Sequence, residues 1–491
     1  MSGADLGGFD RLFIDGKLCA ASGGGTFETT NPATEEILGV AADATAADMD
    51  RAVAAARRAF DETDWRVDHG LRARCLRQLR DALASHGEQL RALTTAEVGA
   101  PAFLTSAAQY DSPVADLGYV ADLLENYDGW QVELGEAAPM GIPSHRWIER
   151  EAAGVVGAIT PWNFPHQINL AKVGPALAAG CTIVLKAAPD TPWCASVLGR
   201  IAAEETDLPP GVLNVITSAD HQLGAQLSGD PRVDLVSFTG STATGAKVMA
   251  AAAQNITKVF LELGGKSAFV VLGDADLAAA CGVAGFTAAT HAGQGCAITT
   301  RLLVPRARYD EAVEATAATM GMLAAGDPTD PGTVCGPLIS ERQRDRVEGY
   351  LRGALAEGGS FAVGGGRSPK FDRGFFIDPT LVVGLGNDAT IAREEVFGPV
   401  LTVIAHDGDD DAVAIANDSP YGLSGSVWSG DRDRAVAVAR RVRTGTMGIN
   451  GGIWYGGDVP FGGFKRSGIG REMGRAGFEE YLEIKSLAEP A

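Results

Sequence analysis

Apolar residues recur every three or four positions in MDRAVAAARRAF (49–60) and LRARCLRQLRDALASHGEQLRAL (71–93), the spacing of amphipathic helices. A different pattern follows in GVVGAIT (154–160), TIVLKA (182–187), LNVIT (213–217), DLVSF (234–238) and AFVVLG (268–273). These runs are short, continuous and rich in β-branched residues, and helix-length segments separate them. Strands buried on both faces read this way, so the pattern predicts an α/β fold with a parallel sheet. It repeats in LLVP (302–305), LVV (381–383) and LTVIA (401–405), which alternate with stretches such as ERQRDRVEGYLRGALAEG (341–358), and a second α/β domain is expected. Residues 131–149 lack helical periodicity, and YLEIKSL (481–487) alternates like an edge strand; both are candidates for pairing with another chain.

Composition narrows the picture. The 491 residues exceed one ordinary core, so two or three domains are expected. With 46% hydrophobic and 21% charged residues the chain is neither disordered nor fibrous. A net charge of −21 repels a phosphate backbone, which argues against nucleic acid as a partner. DGDDD (407–411) reads as a solvated loop rather than a metal site, and no metal is expected. No segment offers the roughly 18 uninterrupted apolar residues of a membrane span. The odd count of seven cysteines shows no regular framework, and the N-terminal residues show no basic stretch leading into an apolar run, so a cytoplasmic protein is expected.

Four segments carry candidate chemistry. VSFTGSTATG (236–245) runs from a strand through Gly240 and Ser241 into an Ala-rich helix, where free N–H groups would bind a phosphate or Ser241 would simply cap the helix. PWNFP (161–165) fixes Asn163 between prolines after a predicted strand, either holding a turn or donating to an oxyanion. In LELGGKS (261–267) an apolar strand ends on Glu262, a base if desolvated or a salt-bridged strand end, while Gly264 and Gly265 leave room for a flat ring. GQGC (293–296) places Cys296 among small neighbours, as an exposed nucleophile or an inert thiol. Together Asn163, Glu262 and Cys296 supply an oxyanion donor, a base and a nucleophile, the set that covalent carbonyl chemistry requires.

These motifs, with EEVFGPV (394–400) and PFGGFKRSGIGRE (460–472), resemble the signatures of the NAD(P)-dependent aldehyde dehydrogenase superfamily, in order and over nearly the whole chain. The resemblance implies an aldehyde dehydrogenase-like fold with two Rossmann-type parallel-sheet domains and a small β oligomerisation element. The cofactor-binding domain would span 1–130 and 150–262, the catalytic domain 263–464, and the oligomerisation element 131–149 and 475–491, giving a homodimer or homotetramer. It further implies that Cys296 attacks an aldehyde, Asn163 holds the oxyanion, Glu262 activates the water that releases the acid, and Lys172 lies near the nicotinamide side. Thr160, Trp162, Lys186, Gly240, Ser241, Gly264, Glu395 and Phe397 would contact the cofactor. Phe164, Gln167, Ile168, Ala171, Thr290, Trp454 and Tyr455 would line the substrate tunnel, with Ala171 and Thr290 making a roomy, mostly uncharged pocket for a medium-sized hydrophobic or aromatic aldehyde.

One position departs from the family pattern. NAD-preferring members usually carry an acidic residue three positions after the lysine matched by Lys186, where this chain has Pro189, followed by Asp190. No Arg or Lys adjoins the position in the chain, so NAD is expected, while the lost carboxylate also admits NADP. Three other readings compete. A CoA-dependent semialdehyde dehydrogenase typically lacks the Glu present here as Glu262. A cysteine hydrolase would use His291 as base but leaves the cofactor motifs unexplained. A catalytically silent member, such as those recruited as lens structural proteins, tends to lose the nucleophile or cofactor contacts.

Overall fold

The computed structural model describes residues 9–491. An eight-stranded sheet holds five parallel strands in the order Lys258–Glu262, Leu235–Thr239, Val155–Ile159, Thr182–Lys186, Leu213–Ile216. Short antiparallel strands close it, Gly468–Ile469 at one edge and Leu12–Ile14 with Lys17–Cys19 at the other. A second sheet of seven strands is parallel except for its edge strand Ser360–Val363, and Ser267–Val271 lies inside it. Both match the continuous apolar runs in the sequence, whose Val, Ile and Leu side chains are buried on both faces.

Strand order fixes where a ligand can enter. From Val155–Ile159 the chain winds outward through Thr182–Lys186 and Leu213–Ile216, then returns to place Leu235–Thr239 on the opposite side. The loops leaving Ile159 and Thr239 therefore diverge and open a crevice at the carboxyl ends of the strands, the ligand position of open α/β sheets. Asn163 and Ser241 lie in those two loops. Glu262 ends a strand of the first sheet and Ser267 begins one of the second, so LELGGKS is the bridge between the sheets.

A third sheet joins Gln131–Ala137, Ser144–Ala152 and Leu482–Pro490, all antiparallel. It contains both segments that were candidates for pairing with another chain, which pair here within the chain. Val132, Leu134 and Ile484 remain exposed on it, as do Met140 and Ile142 at the hairpin tip.

Two local expectations change. The helix expected over 71–93 is two helices, His69–Ser85 and Gly87–Val98, which part at His86, where the backbone leaves helical angles and the ring meets Glu205 at 2.7 Å. DGDDD is a helix start: Gly408 caps Asp409–Asn417, and three aspartates in the first turn face the positive end of its dipole. Asp407, Asp409 and Asp410 pair with Arg306, Arg434 and Arg441. Among the described residues no group of His, Cys, Asp or Glu is arranged to hold a metal, and no helix is long and apolar enough to cross a membrane.

Candidate active site

Asn163, Ile168, Glu262, Gly264, Cys296, Glu395 and Phe397 line one cavity of about 220 Å³ between the two sheets. The three residues proposed for carbonyl chemistry, separated by up to 133 positions, thus share one space. Next to it opens a cleft of about 700 Å³ along the carboxyl ends of the first sheet, lined by Thr160, Lys186, Pro189 and Asp190 among others. Trp162, Gly240 and Ser241 belong to both walls.

The loop before Cys296 is held under strain. His291, Ala292 and Gly293 all take positive φ, at 52°, 51° and 68°, and only glycine does so without cost. A Cβ at Gly293 would collide with the carbonyl of Gly398, so the GQGC loop packs directly on EEVFGPV. Gln294 anchors the turn, donating to the carbonyls of His291 and Pro337, both at 3.2 Å, and accepting from Ile339 N–H at 2.9 Å.

Asn163 is fixed from both ends. Its side-chain Nδ2 donates to the carbonyl of Gln294 at 2.9 Å, which leaves one amide hydrogen for another acceptor. Its own carbonyl accepts from Gln109 at 2.8 Å and contacts His291 Nε2 at 2.9 Å. His291 is therefore committed to the Asn163 backbone. Burial lowers it to about 4, so the ring is neutral at physiological pH and donates from Nε2. A hydrolase base directed at Cys296 does not fit this arrangement.

Cys296 is half-buried, and burial, then the carboxylates of Glu395, Glu262 and Glu472, push its thiol well above the ordinary range. Glu262 is 2% exposed, and neither carboxylate oxygen has a hydrogen-bond partner. Burial and the neighbouring Glu472 raise it well above an ordinary carboxylate, against the pull of Lys172 and Arg471. Gly462 makes room for it, since a Cβ there would lie 2.6 Å from Oε1. Lys172 acts by its charge on Glu262. It is fully buried behind Glu262, with Nζ 3.0 Å from both Glu472 Oε1 and Ser237 Oγ. Breaking such a pair leaves an uncompensated buried charge, at a typical cost of about 3–5 kcal/mol.

The expected cofactor contacts divide between the two spaces. Glu395 accepts from Gly265 N–H at 3.0 Å and is pushed up to about 7 by burial. A Cβ at Gly264 would strike its carboxylate, and one at Gly265 would meet the Cys296 carbonyl at 2.8 Å. Those glycines thus admit Glu395 and the nucleophile's backbone, and Gly264 still lines the cavity. Phe397 meets Trp162 edge to face at 5.4 Å. Ser241 caps the helix Thr242–Ala252 by accepting from Thr244 N–H at 3.2 Å, while still lining the cleft. Lys186 is 3% exposed and its ammonium donates to the carbonyl of its neighbour Ala187 at 3.1 Å. Thr160 Oγ1 is buried without a partner.

On the other side, Gln167, Ala171 and Tyr455 line a mostly apolar channel of only about 30 Å³, with Leu117, Val120 and Met473. It is narrow where the small side chains predicted room, because Tyr455, Met473 and Phe478 fill in from distant segments. It also carries a carboxyl group, Asp116, which burial pushes up while the N–H of Gly457 donates to it. Ile168 faces the cavity of Cys296 instead. Phe164 packs edge to face on His291 at 5.2 Å, Thr290 donates to the Phe286 carbonyl at 2.9 Å, and Trp454 stacks on Phe461 at 5.7 Å.

Several contributors were not singled out from sequence. Glu472 ends a recognised motif, but nothing in the motif indicates its pairing with Lys172. Gln343 and Arg346 line the cavity of Cys296 from the helix Glu341–Ala356, donating to the carbonyls of Phe397 and Glu395 at 2.7 Å. Their segment reads as an ordinary charged helix.

The comparisons agree with this geometry. The family model described as "Aldehyde dehydrogenase family" matches residues 19–487. The chain is 43% identical over 480 residues to geranial dehydrogenase of Castellaniella defragrans, covering 97% of this chain and 98% of the relative. It is similar to the crystal structure of a Mycobacterium tuberculosis aldehyde dehydrogenase complexed with NAD+, at 43% identity and TM-score 0.93, with 98% of each chain covered. It is also similar to a mutant aldehyde dehydrogenase of Pseudomonas syringae complexed with NAD+ and octanal, at 38% identity and TM-score 0.92, covering 98% of this chain and 96% of the other. By fold, by site and by whole-chain similarity, this chain belongs to the aldehyde dehydrogenase family.

Proposed function

We propose that this aldehyde dehydrogenase oxidises a medium-sized hydrophobic or aromatic aldehyde to its carboxylic acid with NAD+, through Cys296. The observation that carries the proposal is the common cavity of Asn163, Glu262 and Cys296, continuous in its walls with the 700 Å³ cleft. The cleft suits a dinucleotide: it lies at a topological switch point, it borders a helix N-terminus, and it holds a buried ammonium and a buried hydroxyl with donor capacity to spare. When bound, NAD+ supplies a hydride acceptor beside the thiol.

Each residue then has one task. The Cys296 thiol gives its proton to solvent water and the thiolate adds to the aldehyde carbon, and burial makes that deprotonation the step the site must assist. The free amide hydrogen of Asn163 and the Cys296 N–H receive the developing oxyanion. Removal of the hydride leaves a thioester on Cys296. Glu262, with two unbonded oxygens and a raised proton affinity, takes a proton from water so that hydroxide attacks the thioester and frees the acid. Lys172 and Glu472 act through their charges on Glu262. Glu395 and Phe397 would hold the nicotinamide ribose, and Ser241 and Lys186 the pyrophosphate and adenosine ends.

The substrate class rests on the mostly apolar channel and on relatives named for geranial or complexed with octanal. The exposed apolar side chains of the three-stranded sheet support assembly as a homodimer or homotetramer. The test is reduction of NAD+ by purified protein with octanal, an aromatic aldehyde and betaine aldehyde. We expect turnover with the first two and none in Cys296→Ala, which still binds NAD+. A clear preference for betaine aldehyde would overturn the substrate class, and activity in the Ala variant would overturn the mechanism.

A further inference from the structure

In parallel sheets that bind dinucleotides, an acidic residue past the second strand accepts from the 2′-hydroxyl of the adenosine ribose, and an arginine in its place holds a 2′-phosphate. The second strand here is Thr182–Lys186, followed by Ala187, Ala188, Pro189 and Asp190, all on the wall of the cleft. Pro189 has no acceptor to offer. Asp190 is the single carboxylate among the residues lining the cleft. Its Oδ2 lies 3.7 Å from Nη2 of Arg342, which reaches over from the first turn of Glu341–Ala356 in the other half of the molecule. His221 faces Asp190 as well.

Among the residues lining the cleft the charge balance is therefore positive, with Asp220 and Asp43 also acting on Lys186 from outside the wall. Lys186, Lys247 and Arg342 stand against one carboxylate, with His221 beside them. The Arg342 side chain is 74% exposed, so its pair with Asp190 is screened by water and weak. A phosphate would offer the guanidinium two oxygens and more charge than the carboxylate does, and bidentate pairs of this kind are the strong ones.

We propose that the cleft admits NADP+ as well as NAD+, and that Arg342 holds the 2′-phosphate by exchanging its contact with Asp190 for that group. With NAD+ the same carboxylate is free to accept from the 2′-hydroxyl. The adjoining Arg that the chain lacks in sequence beside Pro189 is supplied in space from residue 342. This inference rests on reading the cleft as a nicotinamide dinucleotide site.

The test needs no turnover. Calorimetric titration of the full-length protein with adenosine 2′,5′-bisphosphate and with 5′-AMP separates the 2′-phosphate from everything else. The wild type should bind the bisphosphate more tightly. Arg342→Ala should weaken the bisphosphate by roughly tenfold or more while 5′-AMP changes by less than about twofold, and Asp190→Asn should strengthen the bisphosphate. A bisphosphate that binds no tighter than 5′-AMP overturns the proposal and leaves the cleft reading intact, as does an equal loss of both in Arg342→Ala. Binding of neither nucleotide overturns both.

Discussion

The cavity of Cys296 shares walls with a cleft of about 700 Å³, while the proposed aldehyde channel around Gln167, Ala171 and Tyr455 has only about 30 Å³. The cleft is bounded mainly by strand ends, turns and two helices of the first sheet's unit, with Arg342 reaching in from the other half. The channel is bounded by side chains from four separated places: the helix Asp111–Asn126, the helix Pro165–Ala179, the loop at Tyr455–Gly457 and the segment from Met473 to Phe478. Backbone topology builds the first, and it would accept any dinucleotide of suitable charge. Side-chain packing builds the second, so under the proposed function it is where one aldehyde would be told from another.

The largest effect is expected where the two sides meet. Glu262→Gln should lower steady-state turnover by roughly 10²–10⁴-fold, with affinity for NAD+ unchanged and a first-turnover burst of reduced cofactor retained. Loss of the burst, read by stopped-flow absorbance, would move Glu262 from the water step to the thiol. The raised proton affinity of Glu262 also has a sign in stability. The native state binds this proton more tightly than the unfolded chain, so stability falls as pH rises from the unfolded value of 4.5 through the higher folded one. Glu262→Gln removes that dependence, and its melting temperature should exceed the wild type's at alkaline pH while matching it more closely near the acid end. Likewise, wild-type turnover should climb with pH above the ordinary carboxylate range.

Asn163→Ala should cost roughly 10²–10³ in kcat by removing one oxyanion donor. Cofactor affinity tests whether the loss is local: if it falls as well, the amide is supporting the cleft and the separation of the two sides is weaker than the geometry indicates. The smallest effect belongs to the channel. Ala171→Trp should raise the KM for octanal by about tenfold, since a filled contact of this size is worth on the order of 1–3 kcal/mol, with NAD+ affinity untouched. Unchanged KM would mean that aldehydes enter by another route.

The difference between the two sides also explains what could be read in advance. Alternating apolar runs and helical periodicity follow from local geometry, so most of the parallel strands were visible to within a few residues, while Gly425–Trp428 and Gly448–Ile449 were not. Asn163, Ser241 and Glu262 were legible because each sits where a strand ends. Cys296 was legible through its motif. Lys172 was legible only as a lysine, because a motif shows that a lysine is present but not that Glu472, 300 residues away, pairs with it. The channel's room was judged mainly from the small side chains of Ala171 and Thr290, and volume in a pocket depends on what enters from elsewhere.

By itself the sequence determined the α/β class, the positions of the strand ends, the reactive thiol and the absence of a carboxylate at Pro189. These follow from local periodicity, steric limits and residue chemistry, which need no knowledge of distant neighbours. Only the tertiary structure decided that Glu262 is buried without a partner, that Lys172 pairs with Glu472, that Tyr455 and Asp116 narrow the channel, and that Arg342 arrives beside Asp190. Desolvation, charge pairing and cavity volume are properties of what is near in space, and in a chain of 491 residues most of what is near is far along the sequence.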